Sequence, residues 1–237
     1  MLLKQLFDYD TWTYTYIIAD EKTREAAIID SVYEQADRDA KVLTEMGLEL
    51  KYILETHVHA DHITGASMLK EKFPEAKTAL SVHGGASCPD MFVDDGQTLT
   101  LGGYTITVLS TPGHTNGCIS FLVDGKIFTG DSLFIRGCGR TDFQQGSPEK
   151  LYNSVVEKLF TLPDETIVYP GHNYAGLLES TIGEEKKFNP RLAGKTKEEF
   201  ISIMEQLHLP YPKKIMESVP ANLQCGQISK IDSIQAA

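Results

Sequence analysis

The 237-residue chain is 41% hydrophobic and 23% charged, with 33 acidic residues against 22 basic ones and a formal net charge of -11. Such a length buries a sizeable core, and no apolar run reaches the roughly 20 residues that a membrane span requires. The acidic balance argues against nucleic acid and anionic membranes, which are held by clustered Lys and Arg, so an anionic substrate has to be met by cations placed locally.

Residues 1–9 alternate apolar and polar side chains around Lys4, the pattern of a strand and not of an export signal. Segments 2–7, 14–19 and 26–29, rich in β-branched and aromatic residues, predict a meander of strands, the last two joined by the charged turn 20–25. Residues 35–46 place Ala36, Ala40, Val42, Leu43 and Met46 at helical spacing and stop at Gly47, after which 52–54 reads as a buried strand. A helix over 63–73 is followed by strands at 79–82, 104–109, 119–123 and 126–129, which imply a second sheet. Ser147 at the cap, Pro148 at the first helical position and Glu149 in the first turn predict a helix over 148–160. One more strand, 166–169, precedes helical pieces at 179–187 and 197–206 and a Pro-rich, less regular end. No linker, repeat or low-complexity segment divides the chain, so one domain over 1–237 is expected, with a short helical and irregular extension from about 176.

Cys88, Cys118, Cys138 and Cys225 are scattered and form no C-x-x-C pair, which reads as four free thiols in a reducing compartment.

The densest chemistry lies in T-H-V-H-A-D-H, which puts His57, His59, Asp61 and His62 between a predicted strand and a predicted helix. Imidazole and carboxylate are good ligands for zinc and iron, and a loop leaving a strand end turns several of them towards one point. His114 in T-P-G-H-T, Asp131 in T-G-D-S and His172 in Y-P-G-H-N each follow a predicted strand as well, so five of the seven histidines belong to one set. A solvated His-rich turn would not repeat this context. His83 and His208 stand alone and read as packing or surface residues. The ligand inventory by itself accommodates two metal ions.

Taken in order, H-x-H-x-D-H followed by separate His, Asp and His residues resembles the signature of the metallo-β-lactamase superfamily. The resemblance implies an α/β fold, an αββα sandwich of two mixed β-sheets flanked by helices, with a metal site where strand-end loops converge. Asp30, at the end of the strand 26–29, resembles a family aspartate that orients the metal loop without coordinating metal, although a plain strand-ending Asp reads nearly as well.

The segment I-R-G-C-G-R-T-D-F-Q-Q-G, from Ile135 to Gly146, looks like the persulfide dioxygenases, also called sulfur dioxygenases. The likeness continues through L-F-T-L-P, Y-P-G-H-N-Y, N-P-R and V-P-A-N, nearly the whole chain. Glyoxalase II uses the same ligand set for a dinuclear centre that hydrolyses a glutathione thioester, but usually carries a longer helical C-terminal domain. The dioxygenase resemblance implies one Fe(2+) per chain held by His57, His114 and Asp131, two imidazoles and a carboxylate that leave open positions on the metal. His59, Asp61, His62 and His172 then line the cavity. The implied reaction converts glutathione persulfide, O2 and water to glutathione and sulfite.

Arg140, Tyr174 and Arg191 match the family's glutathione-binding positions, and guanidinium suits bidentate carboxylate recognition, with surface or ion-pair arginines as the plainer reading. Cys138 reads as a packing or loop-shaping residue in preference to a sulfur carrier, and Gly137 and Gly139 as the residues that permit a tight loop. Two other readings stay open: the dinuclear thioester hydrolase, and a non-catalytic glutathione-binding or sulfur-sensing module. Family relatives often pair as homodimers. The expected location is cytoplasmic for a bacterial chain and the mitochondrial matrix for a processed eukaryotic one.

Overall fold

A computed structural model describes residues 1–228. Its contacts gather into two compact units, one of residues 1–93, 100–104 and 211 onward, the other of residues 94–99 and 105–210.

The first unit carries a six-stranded mixed sheet whose spatial order follows the chain: β1 (Leu2–Asp8), β2 (Thr13–Ala19), β3 (Glu25–Ile29), β4 (Glu49–Leu54), β5 (Lys77–Ser81) and β6 (Met91–Val93). β1 to β3 are antiparallel, as their short turns require, and β3 to β6 are parallel. A parallel return needs a long connection, and two of them contain helices, α1 (Ala36–Glu45) and α2 (Ala66–Lys72). Strand register sets Ile17 beside Ile28 and Ile28 beside Ile53, a β-branched row on one face of the sheet. Leu43 of α1 and Leu69 of α2, both fully buried, pack against that row. Each such burial contributes about 1.5–3 kcal/mol.

The second sheet has the order β12-β11-β10-β9-β8-β7, with β7 at Thr98–Leu101, β8 at Tyr104–Ser110, β9 at Ile119–Val123, β10 at Lys126–Gly130, β11 at Ile167–Pro170 and β12 at Ser180–Thr181. α3 (Pro148–Tyr152) opens as predicted, with Ser147 Oγ accepting from the Lys150 N–H. The predicted helix over 148–160 does not stay α-helical, however. It widens into a π-helical turn over Asn153–Lys158 and tightens to a 3-10 turn at Leu159–Thr161. The changes of winding keep Leu151, Val155 and Leu159, each four residues from the next, buried together against Ile127 and Val168 of the sheet. α4 (Ile182–Phe188) is capped by Thr181, and α5 (Lys197–Glu205) by a Thr196–Glu199 capping box. α5 buries Phe200 and Met204, one turn apart, in the same core.

Other departures have local causes. The helix expected from residue 63 begins only at Ala66, because the Tyr33 N–H bonds the Ile63 carbonyl and Thr64 pairs with Val32. Ser180 and Thr181, expected as helix, pair instead with β11. β6 and β7 are not foreseen, and neither is α6 (Ile215–Asn222) of the first unit, which contains Pro220 and so lacks the ordinary signature of a helix interior. Cys88 and Cys225 are not free thiols but form a disulfide, whereas Cys118 and Cys138 are buried and outside any disulfide. The two bonded residues are 137 apart in sequence, so their spacing carried no sign of the pairing. Among the described residues no helix is long and apolar enough to cross a membrane.

Candidate metal centre

In the first unit, β3 and β4 run parallel with Ile29 beside Leu54, so Asp30 and the segment 55–62 leave the sheet at the same edge. Asp30 takes a left-handed φ of 52°, which a short acidic side chain tolerates better than most. Its carboxylate accepts from the Thr56 N–H at 2.7 Å and the Thr56 hydroxyl at 2.8 Å, and lies 3.2 Å from His59 Nε2. Asp30 therefore grips the start of the histidine loop.

Glu55, whose place in the sequence carries no sign of a role, sets Oε2 3.2 Å from the same His59 nitrogen and accepts from the Thr64 hydroxyl at 2.5 Å. Burial opposes a charge on His59, yet Asp30 and Glu55 hold its pKa well above the ordinary value, while burial pushes the Glu55 carboxyl up. With Nε2 held twice, the buried Nδ1 of His59 has no hydrogen-bond partner among the described residues, and His62, whose Nδ1 lies 2.9 Å from Asp61, leaves its buried Nε2 in the same condition. His57 is buried too, its Nδ1 3.0 Å from the Thr56 hydroxyl and its ring 4.1 Å from that of His59. Ligand atoms of His59, Asp61 and His62 lie within 4.8 Å of one another.

Asn222 holds this loop from α6. Its side-chain oxygen accepts from the Thr64 N–H at 2.8 Å, and its nitrogen donates to the carbonyls of His59 at 2.9 Å and His62 at 2.8 Å. The sequence marked Asn222 only within V-P-A-N, with no role attached.

In the second unit, β8 and β10 are both antiparallel to β9 and therefore run the same way, and β11 is parallel to β10. Three C-terminal strand ends thus share one edge, carrying His114 after β8, Asp131 after β10 and His172 after β11. Gly130 registers with Pro170, which makes Asp131 and His172 neighbours. Asp131 Oδ2 lies 3.5 Å from His114 Nε2, and Oδ1 lies 3.5 Å from His172 Nε2. Those separations exceed a good N–H to oxygen bond, and Oδ1 is buried with no hydrogen-bond partner among the described residues. A buried carboxylate that faces two imidazoles just beyond hydrogen-bonding distance fits a cation, because an uncompensated charge there is costly. His114 Nδ1 lies 2.7 Å from the Arg140 carbonyl, which takes its N–H and leaves Nε2 facing Asp131.

The residues matched to glutathione binding all lie in the second unit. Arg140 meets Asp142 through two bonds of 2.6 and 2.7 Å, donates to the Pro210 carbonyl at 2.7 Å and lies 4.6 Å over the Phe143 ring. Arg191 donates to the Cys138 carbonyl at 2.8 Å. Tyr174 is 67% exposed, its ring parallel to that of His172 at 6.1 Å. Cys138 is buried beside Met204, and burial pushes its thiol up, so the reactive thiolate is disfavoured there. His83 and His208 are exposed.

The family model described as the metallo-beta-lactamase superfamily matches residues 12–172. The chain is 47% identical over 228 residues to a Bos taurus protein, persulfide dioxygenase ETHE1, mitochondrial, across 95% of this chain and 89% of that one. The crystal structure of ETHE1 from Myxococcus xanthus matches with a TM-score of 0.93 and 52% identity, covering 96% of this chain and 100% of the other. A cytoplasmic hydroxyacylglutathione hydrolase of Arabidopsis thaliana is more distant, at 39% identity over 173 residues, 68% of this chain and 64% of that protein.

Proposed function

We propose a dioxygenase function for this chain, which belongs to the persulfide dioxygenase family of the metallo-β-lactamase superfamily and has that superfamily's fold of two mixed sheets flanked by helices. The substrate is glutathione persulfide. With one O2 and one water it gives glutathione, sulfite and two protons.

By the family resemblance, His57, His114 and Asp131 would hold one Fe(2+) through two imidazoles and a carboxylate. The observation that carries the reading is Asp131, a buried carboxylate facing two imidazoles, whose Oδ1 has no hydrogen-bond partner among the described residues. The chemistry that ferrous iron would supply, when bound, is one-electron reactivity towards O2. The Arg140 carbonyl keeps His114 in the tautomer that leaves Nε2 for the metal. Asp30 and Glu55 orient His59, and His172, beside Asp131, would take one released proton at Nε2.

Glutathione brings carboxylates to an acidic protein, and Arg140 and Arg191 are the cations that meet them. A substrate carboxylate takes the place of Asp142 on the Arg140 fork, which suits either partner bidentately. Arg140→Ala is expected to raise KM for glutathione persulfide about ten- to a hundredfold, the loss of one charged hydrogen-bonded contact, with bound iron unchanged. Steady-state kinetics beside a metal assay decide this, and a wild-type KM removes Arg140 from the site.

The function is tested on protein purified without added metal. One iron per chain, with O2 uptake on glutathione persulfide matched by sulfite, is the expected result. The His59, Asp61 and His62 cluster favours a second reading, a dinuclear thioester hydrolase. Two metals per chain and hydrolysis of a glutathione thioester without O2 uptake would replace the dioxygenase by that hydrolase.

A further inference from the structure

In the first unit, α6 and the residues after it are fastened to the histidine loop at several points besides Asn222. Cys225 is bonded to Cys88, and Cys225 belongs to a small apolar cluster with Leu80, Ala86 and Val58, the residue between His57 and His59. Val219 and Leu223 of the α6 segment pack on the same cluster. Gly226 follows with a left-handed φ of 76°, so close to the loop that a Cβ would lie 2.3 Å from the Thr64 carbonyl oxygen. Its own carbonyl accepts from the Ser67 hydroxyl at 2.8 Å. Among the described residues the disulfide is the one covalent tie between this segment and the rest of the unit.

The same disulfide lines a cavity of about 590 Å³ whose polar wall includes Ser67, Lys70, Glu71 and Asp90. Cys225 is buried and Cys88 half-buried. A nucleophile entering the cavity therefore meets the Cys88 sulfur first.

We propose that Cys88–Cys225 is a thiol-exchange site, opened by a small-molecule thiolate of the glutathione class, and that opening it loosens the loop carrying His57, His59 and His62. The thiolate attacks the Cys88 sulfur, the S–S bond breaks, and Cys225 leaves as a thiolate that takes a proton from water. A second thiolate then attacks the outer sulfur of the mixed disulfide, releasing the symmetric small-molecule disulfide and the Cys88 thiolate. In sum two thiols are oxidised to one disulfide and the protein disulfide is reduced to two thiols. In a compartment that holds such thiols the bond is a reversible switch and not a permanent staple. This exchange needs only the disulfide and its cavity, and stands whether or not the chain is a dioxygenase.

The full-length protein is equilibrated in glutathione buffers of graded ratio, alkylated and weighed, with amide hydrogen exchange followed over residues 57–65. Oxidised protein should expose two alkylatable thiols on denaturation and reduced protein four, with exchange over 57–65 faster by about tenfold or more after reduction. In Cys225→Ser, oxidised glutathione should form an adduct on Cys88, whereas in Cys88→Ser the buried Cys225 should resist it. Four alkylatable thiols before any reductant, or reduction that leaves exchange over 57–65 unchanged, overturns the proposal. The wild-type measurements decide the question even where a Ser variant fails to fold.

Discussion

Asp131→Ala should yield a folded protein that retains no iron after dialysis, with O2 uptake on glutathione persulfide down by about a thousandfold or more. The carboxylate is the single anion of the proposed ligand set, and without it two neutral imidazoles are left to hold a dication. The fold has little to lose. The structural bond at this position runs through the backbone, from the Gly139 N–H to the Asp131 carbonyl at 2.8 Å, while Oδ1 has no hydrogen-bond partner among the described residues. Removing a buried, imperfectly compensated charge should leave metal-free stability unchanged or slightly higher. Metal analysis and denaturant unfolding of the metal-free variant check both halves. A variant with one iron per chain and wild-type turnover would show that Asp131 is not a ligand.

Gly139→Ala is expected to damage the same centre by a different route. A Cβ at Gly139 would lie 2.4 Å from the Asp131 carbonyl oxygen and 3.0 Å from Cγ and Nδ1 of His114. The residue needs no left-handed backbone, so the demand is for space and not for dihedral freedom. Two hydrogen bonds depend on that close approach, the one to the Asp131 carbonyl and the one from His114 Nδ1 to the Arg140 carbonyl. A methyl group must push the loop away from His114, Asp131 or both. The overpacking should cost about 1–3 kcal/mol of stability. Iron affinity should fall about ten- to a hundredfold, the usual effect of disturbing groups that orient a metal ligand. Arg140→Ala, in contrast, is expected to keep its iron, so the pair separates loop geometry from substrate charge. Wild-type iron affinity in Gly139→Ala would mean that the loop moves without taking His114 or Asp131 along.

Much of the candidate site was legible in the amino-acid order, because its residues advertise themselves locally. His57, His114, Asp131 and His172 each follow a run of β-branched or aromatic residues, and a strand followed by a turn is written in neighbouring side chains. The strands foreseen at 119–123 and the caps at Ser147 and Pro148 were readable for the same reason. The tight loop at Gly139 could be guessed, though its cause, a carbonyl and an imidazole pressed against the α-carbon, could not.

What only the tertiary structure decided is which strand ends share an edge and what holds the loops once they arrive there. His114, Asp131 and His172 converge because three strands of one sheet run the same way, a matter of pairing and register between segments tens of residues apart. Glu55 looked like an ordinary polar residue until burial set it against His59, and Asn222 reaches the His59 carbonyl across a separation of 163 residues. The Cys88–Cys225 bond has the same origin. Local propensity reads a few residues at a time, whereas these contacts exist only after the chain has closed long loops and buried the groups at their ends.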